Sequence, residues 1–257
     1  MYAQFSCYIH LHGCCYRFAH LINVDFFTDL VEVLKKIMTG GPDAQNFDSY
    51  SPANRRTQLL CIVTAFRLLQ GQGEALNIDL NVFYSEFYTC LLTVAMNPDI
   101  EGNIFEVSEA SAKEKEKQKQ ATKAQWKGKN APRSIEDGVL VLFDTDLELI
   151  MKGFELLFFT TKGKIPVIRS ASFLKRIAIA SLQFPNRPMK DFLTIMKRLI
   201  QKQPQLDQLL TGSDEDRAGN GVYLPALNDP ELCNPMAASL WELELMKVRQ
   251  ANDGVSL

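Results

Sequence analysis

Apolar side chains recur along most of this chain at steps of three and four, the spacing of one face of an α-helix. Phe27, Leu30, Val31, Leu34, Ile37 and Met38 form the first such stripe. Asp25 opens it, where a carboxylate suits a helix N-terminus, and Gly40-Gly41-Pro42 closes it. Leu59, Ile62, Val63, Phe66 and Leu69 form a second stripe, stopped by Gly71-Gln-Gly73. A third helix is predicted from about Leu80 through Phe83, Phe87 and Leu91. Farther on, Phe143, Leu147, Ile150, Phe154 and Leu157 share one face, and Phe173, Ile177, Ala180 and Phe184 share another. Met189, Phe192, Leu193, Met196, Leu199 and Ile200 follow, with Pro188 in the first turn and Pro185 and Pro204 at the two ends. The last predicted helix carries Leu240, Trp241, Leu243 and Met246. Val139-Leu-Val-Leu-Phe143 has the composition of a strand, but a lone strand has no partner, so helix is the better reading.

Residues 97–136 break the pattern. Apolar side chains are nearly absent there, so burial cannot offset the entropy of ordering. A flexible, basic linker is predicted, transiently helical around residues 113–123. The chain then divides into N-terminal helical hairpins (1–96), the Lys-rich linker (97–136), a C-terminal helical part (137–250) and a disordered tail (251–257). Residues 211–222, acidic and glycine-containing, read as a flexible loop. Asn23-Val24-Asp25 and Asn77-Ile78-Asp79 each precede a helix. That echo is either a repeat of stacked hairpins or a shared helix-start signal. The predicted fold class is all-α, a HEAT/armadillo-like solenoid of packed helical hairpins interrupted by the disordered basic linker.

The composition, 46% hydrophobic and 23% charged over 257 residues, is that of a globular protein with a sizeable core. A net charge of -2 supplies no global field toward nucleic acid or membrane, so any such contact is local. Apolar runs stop far short of a membrane span, and the first fifteen residues lack a signal-peptide pattern. The six cysteines include no C-x-x-C pair, and Cys61 and Cys90 sit in apolar helical patterns, which fits a reducing compartment.

Little here suggests catalysis. His10, His12, Cys14, Cys15 and His20 match no common zinc spacing. All three histidines lie within the first twenty residues, so a triad is hard to assemble. Asp144, Asp146 and Glu148 fit a helix start, where the dipole favours them. Gly71-Gln-Gly73 lacks the strand and the further residues of a phosphate loop. No cofactor, metal or small-molecule substrate is expected. The nucleic-acid candidate is Lys113, Lys115, Lys117, Lys119, Lys123, Trp126, Lys127, Lys129 and Arg133, since lysines neutralise phosphates and an indole stacks on a base. Interleaved Glu114 and Glu116 leave a solvated charged loop equally open. Lys175-Arg176 and Lys197-Arg198 either add basic surface or are ordinary solvent-facing pairs. Trp241 reads as a core anchor that closes the last helix, with an interface hot spot as the other reading.

Four segments together resemble one family. They are Phe18-Ala-His-Leu-Ile-Asn-Val-Asp-Phe-Phe27; Leu60-Cys-Ile-Val-Thr-Ala-Phe66 with Gly71-Gln-Gly-Glu-Ala-Leu-Asn-Ile-Asp79; Phe173-Leu-Lys-Arg176 with Lys197-Arg-Leu-Ile and Gln203-Pro-Gln-Leu206; and Asp229-Pro-Glu231 with Ser239-Leu-Trp-Glu-Leu243. In that order they resemble the nucleolar complex protein 3 family, within the group carrying the CCAAT-binding-factor-type domain, over roughly residues 16–246. The resemblance implies a non-catalytic nucleolar scaffold in assembly and transport of large ribosomal subunit precursors. It implies a heterodimer with a sister nucleolar complex protein and contact with the pre-ribosomal particle. A chromatin or DNA-binding role in replication initiation is the alternative. Phe173, Lys175, Arg176, Asp229, Pro230, Trp241 and Leu243 are the signature residues that the resemblance singles out. Residues 1–15 and Arg249-Gln-Ala-Asn-Asp-Gly-Val-Ser-Leu257 depart from it, which suggests a truncated or alternatively spliced form.

Overall fold

The computed structural model describes residues 24–39, 52–72, 80–97, 100, 145–160, 165–211 and 220–252, and these contain no strand. The helices, in chain order, are α1 (Val24–Met38), α2 (Pro52–Gln72), α3 (Asn81–Ala95), α4 (Asp146–Phe154), α5 (Val167–Ser181), α6 (Asn186–Lys202) and α7 (Glu242–Asn252). A π-helical turn, Glu155–Thr160, prolongs α4, and 3₁₀ turns span Pro204–Leu210 and Pro235–Ala237. The fold is all-α and solenoid-like. Helix α1 packs on α2, and α2 packs in turn on α3 and α4. Helix α3 meets α5, α4 meets α6, and α5 meets α6, so the packing runs on as a double row. The segment of the proposed basic linker falls almost wholly outside the described residues, as do the second Asn-Asp echo and Val139-Leu-Val-Leu-Phe143.

Sequence periodicity explains which faces are inward. Val31, Leu34 and Met38 of α1 are buried; α2 is buried all round from Gln58 to Phe66, so its stripe of Leu59, Ile62, Val63 and Phe66 is only part of its contact. Met189, Phe192, Met196 and Leu199 line the inner face of α6, where Pro188 sits in the first turn as predicted. Rings fill the centre. Phe87 lies 5.5 Å from Phe154 and 5.6 Å from Phe173, centroid to centroid, and Phe154 stacks on Phe158 at 5.5 Å. Such contacts add to simple area burial. Gly153 makes room for them: a Cβ there would stand 2.6 Å from Phe87 Cζ.

Polar groups tie the hairpins together. Gln58 Nε2 donates to the Met38 carbonyl at 3.3 Å, and Cys90 Sγ donates to Gln58 Oε1 at 3.8 Å, linking α1, α2 and α3. Thr145 caps α4, its hydroxyl accepting from Glu148 N at 3.2 Å. Asp146 does more than complement the α4 dipole. It is buried, and Arg56 Nη1 donates to its Oδ1 at 3.1 Å while Arg55 Nε stands 3.8 Å from Oδ2. A carboxylate withdrawn from water needs such partners. The prediction for the last helix needs one correction. Helix α7 begins at Glu242, so Leu240 and Trp241 precede it. Leu240 spends its N–H on the Leu209 carbonyl, 2.7 Å away, which holds the chain off the helical path until Glu242.

Candidate functional site

The signature residues converge on one place, where an extended strap, residues 220–241, crosses α5. Helix α5 presents Arg169, Ser172, Phe173 and Arg176 at steps of three, one and three, a single face, with Lys175 beside it. The strap is shaped by its own turns. Asp229 Oδ1 accepts from Glu231 N at 2.8 Å, an Asx turn that exposes the Pro230 carbonyl to α5. Leu224 N donates to the Cys233 carbonyl at 2.9 Å, closing a loop between them. Asn234 adopts the left-handed region, φ 51°, and its amide donates to the Asn220 carbonyl at 2.9 Å.

A relay of donors fastens the centre of the strap. Tyr88 O–H of α3 donates to Cys233 Sγ at 3.3 Å, Cys233 S–H to Ser172 Oγ at 3.3 Å, and Ser172 O–H to the Pro230 carbonyl. Burial pushes the Tyr88 phenol far up from its ordinary range, against the opposing pull of Arg176, so it stays protonated and able to donate. Arg169 holds one edge. It pairs with the Glu231 carboxylate, donates to Asn81 Oδ1 at 3.3 Å and lies 4.2 Å over the Tyr84 ring.

Arg176 and Lys175 overturn the expectation of a solvent-facing basic pair: they are 1% and 2% exposed. Arg176 donates to the carbonyls of Tyr88 (3.2 Å), Pro225 (2.6 Å) and Leu227 (2.7 Å), with its guanidinium 3.5 Å over the Tyr88 ring. Lys175 Nζ donates to both Glu242 oxygens, at 2.6 and 2.8 Å, and to the Ser239 carbonyl at 2.6 Å. Glu242 is fully buried at the first position of α7, so a paired carboxylate also meets the positive end of that helix. Two cations that sequence assigns to the surface are thus the pins on which the strap and α7 hang. Their acceptors are backbone carbonyls and a carboxylate 49 or more residues onward, apart from the Tyr88 carbonyl.

Trp241 is corrected as well. It is 53% exposed and so does not anchor the core. One face of its ring meets Lys175 Nζ at 5.2 Å, and the Tyr223 ring lies 5.8 Å from the same ammonium. Leu240 and Met246 take the buried role, and Leu243 packs partly against them. Trp241, Leu245 and Val248 are all at least half exposed and fall at steps of four and three, one outward face. Val222, Leu224 and Leu232 on the strap are exposed too. Phe173, by contrast, is wholly buried, in ring contact with Phe87, Tyr88, Phe154 and Phe158. Pro230 is buried beneath Ser172, and Asp229 is exposed at the strap's turn.

The nucleic-acid candidates Lys113, Lys115, Lys117, Lys119, Lys123, Trp126, Lys127, Lys129 and Arg133 lie outside the described residues. Among the described residues no group of His, Cys, Asp and Glu could hold a metal ion, and no helix is long and apolar enough to cross a membrane. What the site offers is an exposed apolar face whose backbone is tied down by buried charge.

Comparison with known proteins places the chain among relatives of one kind. The chain is 30% identical over 234 residues to nucleolar complex-associated protein 3 of Schizosaccharomyces pombe, covering 90% of this chain and 28% of that protein. It is 33% identical over 231 residues to the nucleolar complex protein 3 homolog of Danio rerio (90% and 22%) and 28% identical over 232 residues to nucleolar complex-associated protein 3 of Saccharomyces cerevisiae (90% and 31%). The chain therefore spans less than a third of the length of each of these relatives. The CBF/Mak21 family pattern matches residues 58–252, from the inner turns of α2 through the strap to the end of α7, and the chain belongs to that family.

Proposed function

We propose that this chain is a non-catalytic assembly module of nucleolar ribosome biogenesis, acting on precursors of the large subunit. The names of its relatives, nucleolar complex proteins, support the nucleolar setting. The observation that carries the mechanism is the exposure of Trp241, Leu245 and Val248 beside a strap pinned by buried charge. Tryptophan enters interfaces as an anchor because it offers a large, rigid apolar area. Here the Lys175–Glu242 pair fixes the backbone on both sides of that ring, so little ordering remains at the moment of docking. The occupant of this face is a helical stretch of a sister nucleolar complex protein, laid against the step-of-four ridge. The Lys-rich segment 113–129 would add a contact to pre-ribosomal RNA.

The test is capture of that sister protein by the 257-residue chain, wild type against Trp241→Ala and Leu245→Ala. A ring half in water contributes little to folding, so thermal unfolding should barely move. Capture should weaken by at least ~2 kcal/mol, the level of an interface hot spot. Undiminished capture by the doubly substituted protein would remove this face from the interface.

A further inference from the structure

Helix α6 has two opposed faces. The inner one carries Met189, Phe192, Met196 and Leu199. The outer one carries Arg187, Lys190, Lys197, Arg198 and Lys202 against a single carboxylate, Asp191, with Thr194 and Gln201 between them. At 100° per residue these outer positions all fall within an arc of roughly 140°, and from Arg187 to Lys202 they run about 22 Å along the axis. All but Lys190, which is half-buried, are exposed. No large hydrophobic side chain is exposed on this helix.

We propose that the outer face of α6 is a ridge that grips the phosphate backbone of an RNA stem. Three observations favour this over a protein partner or an unpaired strand. A protein interface takes most of its energy from Trp, Tyr and Arg anchors buried in apolar surroundings, so its arginines need exposed apolar or aromatic neighbours. The Trp241 face has them and the α6 ridge has none. Phosphate contact needs only cations and hydrogen-bond donors, and Arg187, Lys190, Lys197 and Arg198 with Gln201 supply those. Thr194 gives its hydroxyl proton to the Lys190 carbonyl at 3.1 Å, and Lys202 Nζ donates to the Phe158 carbonyl at 2.5 Å. Unpaired strands are held largely by bases stacking on open rings. The aromatic ring at this ridge, Phe159, is capped by the Arg198 guanidinium 4.3 Å above it and by Lys202 Nζ at 5.8 Å. That stacking also pre-positions Arg198 at the edge of a groove of about 460 Å³ lined by Met151, Phe159, Ile195, Glu148 and the Lys152–Glu155 pair, so the phosphates follow the outer side of the ridge and not the groove. The ridge therefore reads shape and charge, not sequence. The choice of RNA over DNA rests on the nucleolar reading above; the ridge itself rests on its own geometry.

The experiment is a titration of the 257-residue chain with an RNA stem-loop, an unpaired RNA of the same composition and the matching DNA stem, each across a potassium chloride series. Two variants are compared with wild type: Lys190→Gln/Lys197→Gln/Arg198→Gln, and Arg187→Gln/Lys190→Gln/Lys197→Gln. The second leaves the Arg198–Phe159 packing in place and so guards against a folding defect. For the RNA stem, the slope of log affinity against log salt should fall by about three units in each, one per cation removed. The loss should be the same for stems of unrelated sequence. An unchanged slope in the second variant overturns the proposal. So does loss of sister-protein capture with stem affinity intact, which would make the ridge a protein surface. Equal affinity for the DNA stem overturns the choice of RNA and with it the link to the nucleolar reading. Failure of the Trp241 docking test, by contrast, leaves this slope untouched, so the two ideas fail separately.

Discussion

Glu242→Leu should be among the most damaging single substitutions in the C-terminal half. It leaves the Lys175 ammonium, 2% exposed, with the Ser239 carbonyl alone of the three acceptors described, where two carboxylate oxygens at 2.6 and 2.8 Å stood before. Breaking a buried pair by removing one partner costs about 3–5 kcal/mol, because the remaining charge is buried without compensation. The low end is the better expectation here, since the Ser239 carbonyl stays within reach of the ammonium. A loss of about 3 kcal/mol corresponds to a fall of roughly 1 M in the urea midpoint at a slope of about 3 kcal/mol/M. The assay is urea unfolding at neutral pH, followed both by circular dichroism and by Trp fluorescence, for wild type, Lys175→Met, Glu242→Leu and the double variant. Lys175→Met should cost a similar amount, since it strands the carboxylate. The double variant should recover most of the loss, because a matched apolar pair leaves no charge behind. The reasoning is refuted if Glu242→Leu unfolds within about 0.5 kcal/mol of wild type, or if the double variant shows the sum of the two single losses.

Arg176→Lys should also destabilise, by about 2–3 kcal/mol, because an ammonium cannot reach three carbonyls and stack on Tyr88 at once; a thermal melt unchanged from wild type would contradict this. Gly153→Ala pits two effects against each other. Helix propensity favours Ala by about 1 kcal/mol, but the new Cβ would stand 2.6 Å from Phe87 Cζ, so overpacking of about 1–3 kcal/mol should win and the melting temperature should fall. Burial pushes the thiols of Cys61 and Cys90 from 9.0 up to about 12. Their contribution is therefore full below pH 9 and is lost as pH rises toward 12, by about 1.4 kcal/mol per pH unit for each thiol. Urea midpoints at pH 8 and pH 10.5 should converge in Cys61→Ala/Cys90→Ala relative to wild type, and an identical pH dependence in both proteins would count against it.

Much of the architecture was readable from spacing. The stripe of Met189, Phe192, Met196 and Leu199 predicts both α6 and its inner face, because a long surface helix must segregate its residues. The same logic failed at Lys175 and Arg176. Their sequence neighbours give no sign of burial, and the acceptors that permit it arrive mainly from residues 225–242, after another helix and two loops. Trp241 failed for the mirror reason. An aromatic in an apolar run is normally core, but the Leu240 bond to Leu209 sets the turn that leaves the indole outside. The π-helical turn Glu155–Thr160 carried no sequence signal: Leu156, Leu157 and Phe158 read as helix of any pitch. The family resemblance found the strap without showing why it matters. Asp229, Pro230 and Glu231 are set apart by their turn chemistry, and only the packing shows Ser172 and Arg169 receiving them.

The strap follows in sequence both α3 and α5, the helices it meets, and that order has a consequence for biosynthesis. While a ribosome is still translating the chain upstream of residue 225, the Arg176 guanidinium lacks its Pro225 and Leu227 acceptors, and Lys175 lacks Glu242. Helices α3 and α5 then meet around groups whose acceptors are still to come, so this part of the nascent product stays open and greasy until residues 225–242 have been made. A protein of this design gives a chaperone a defined window in which to hold it.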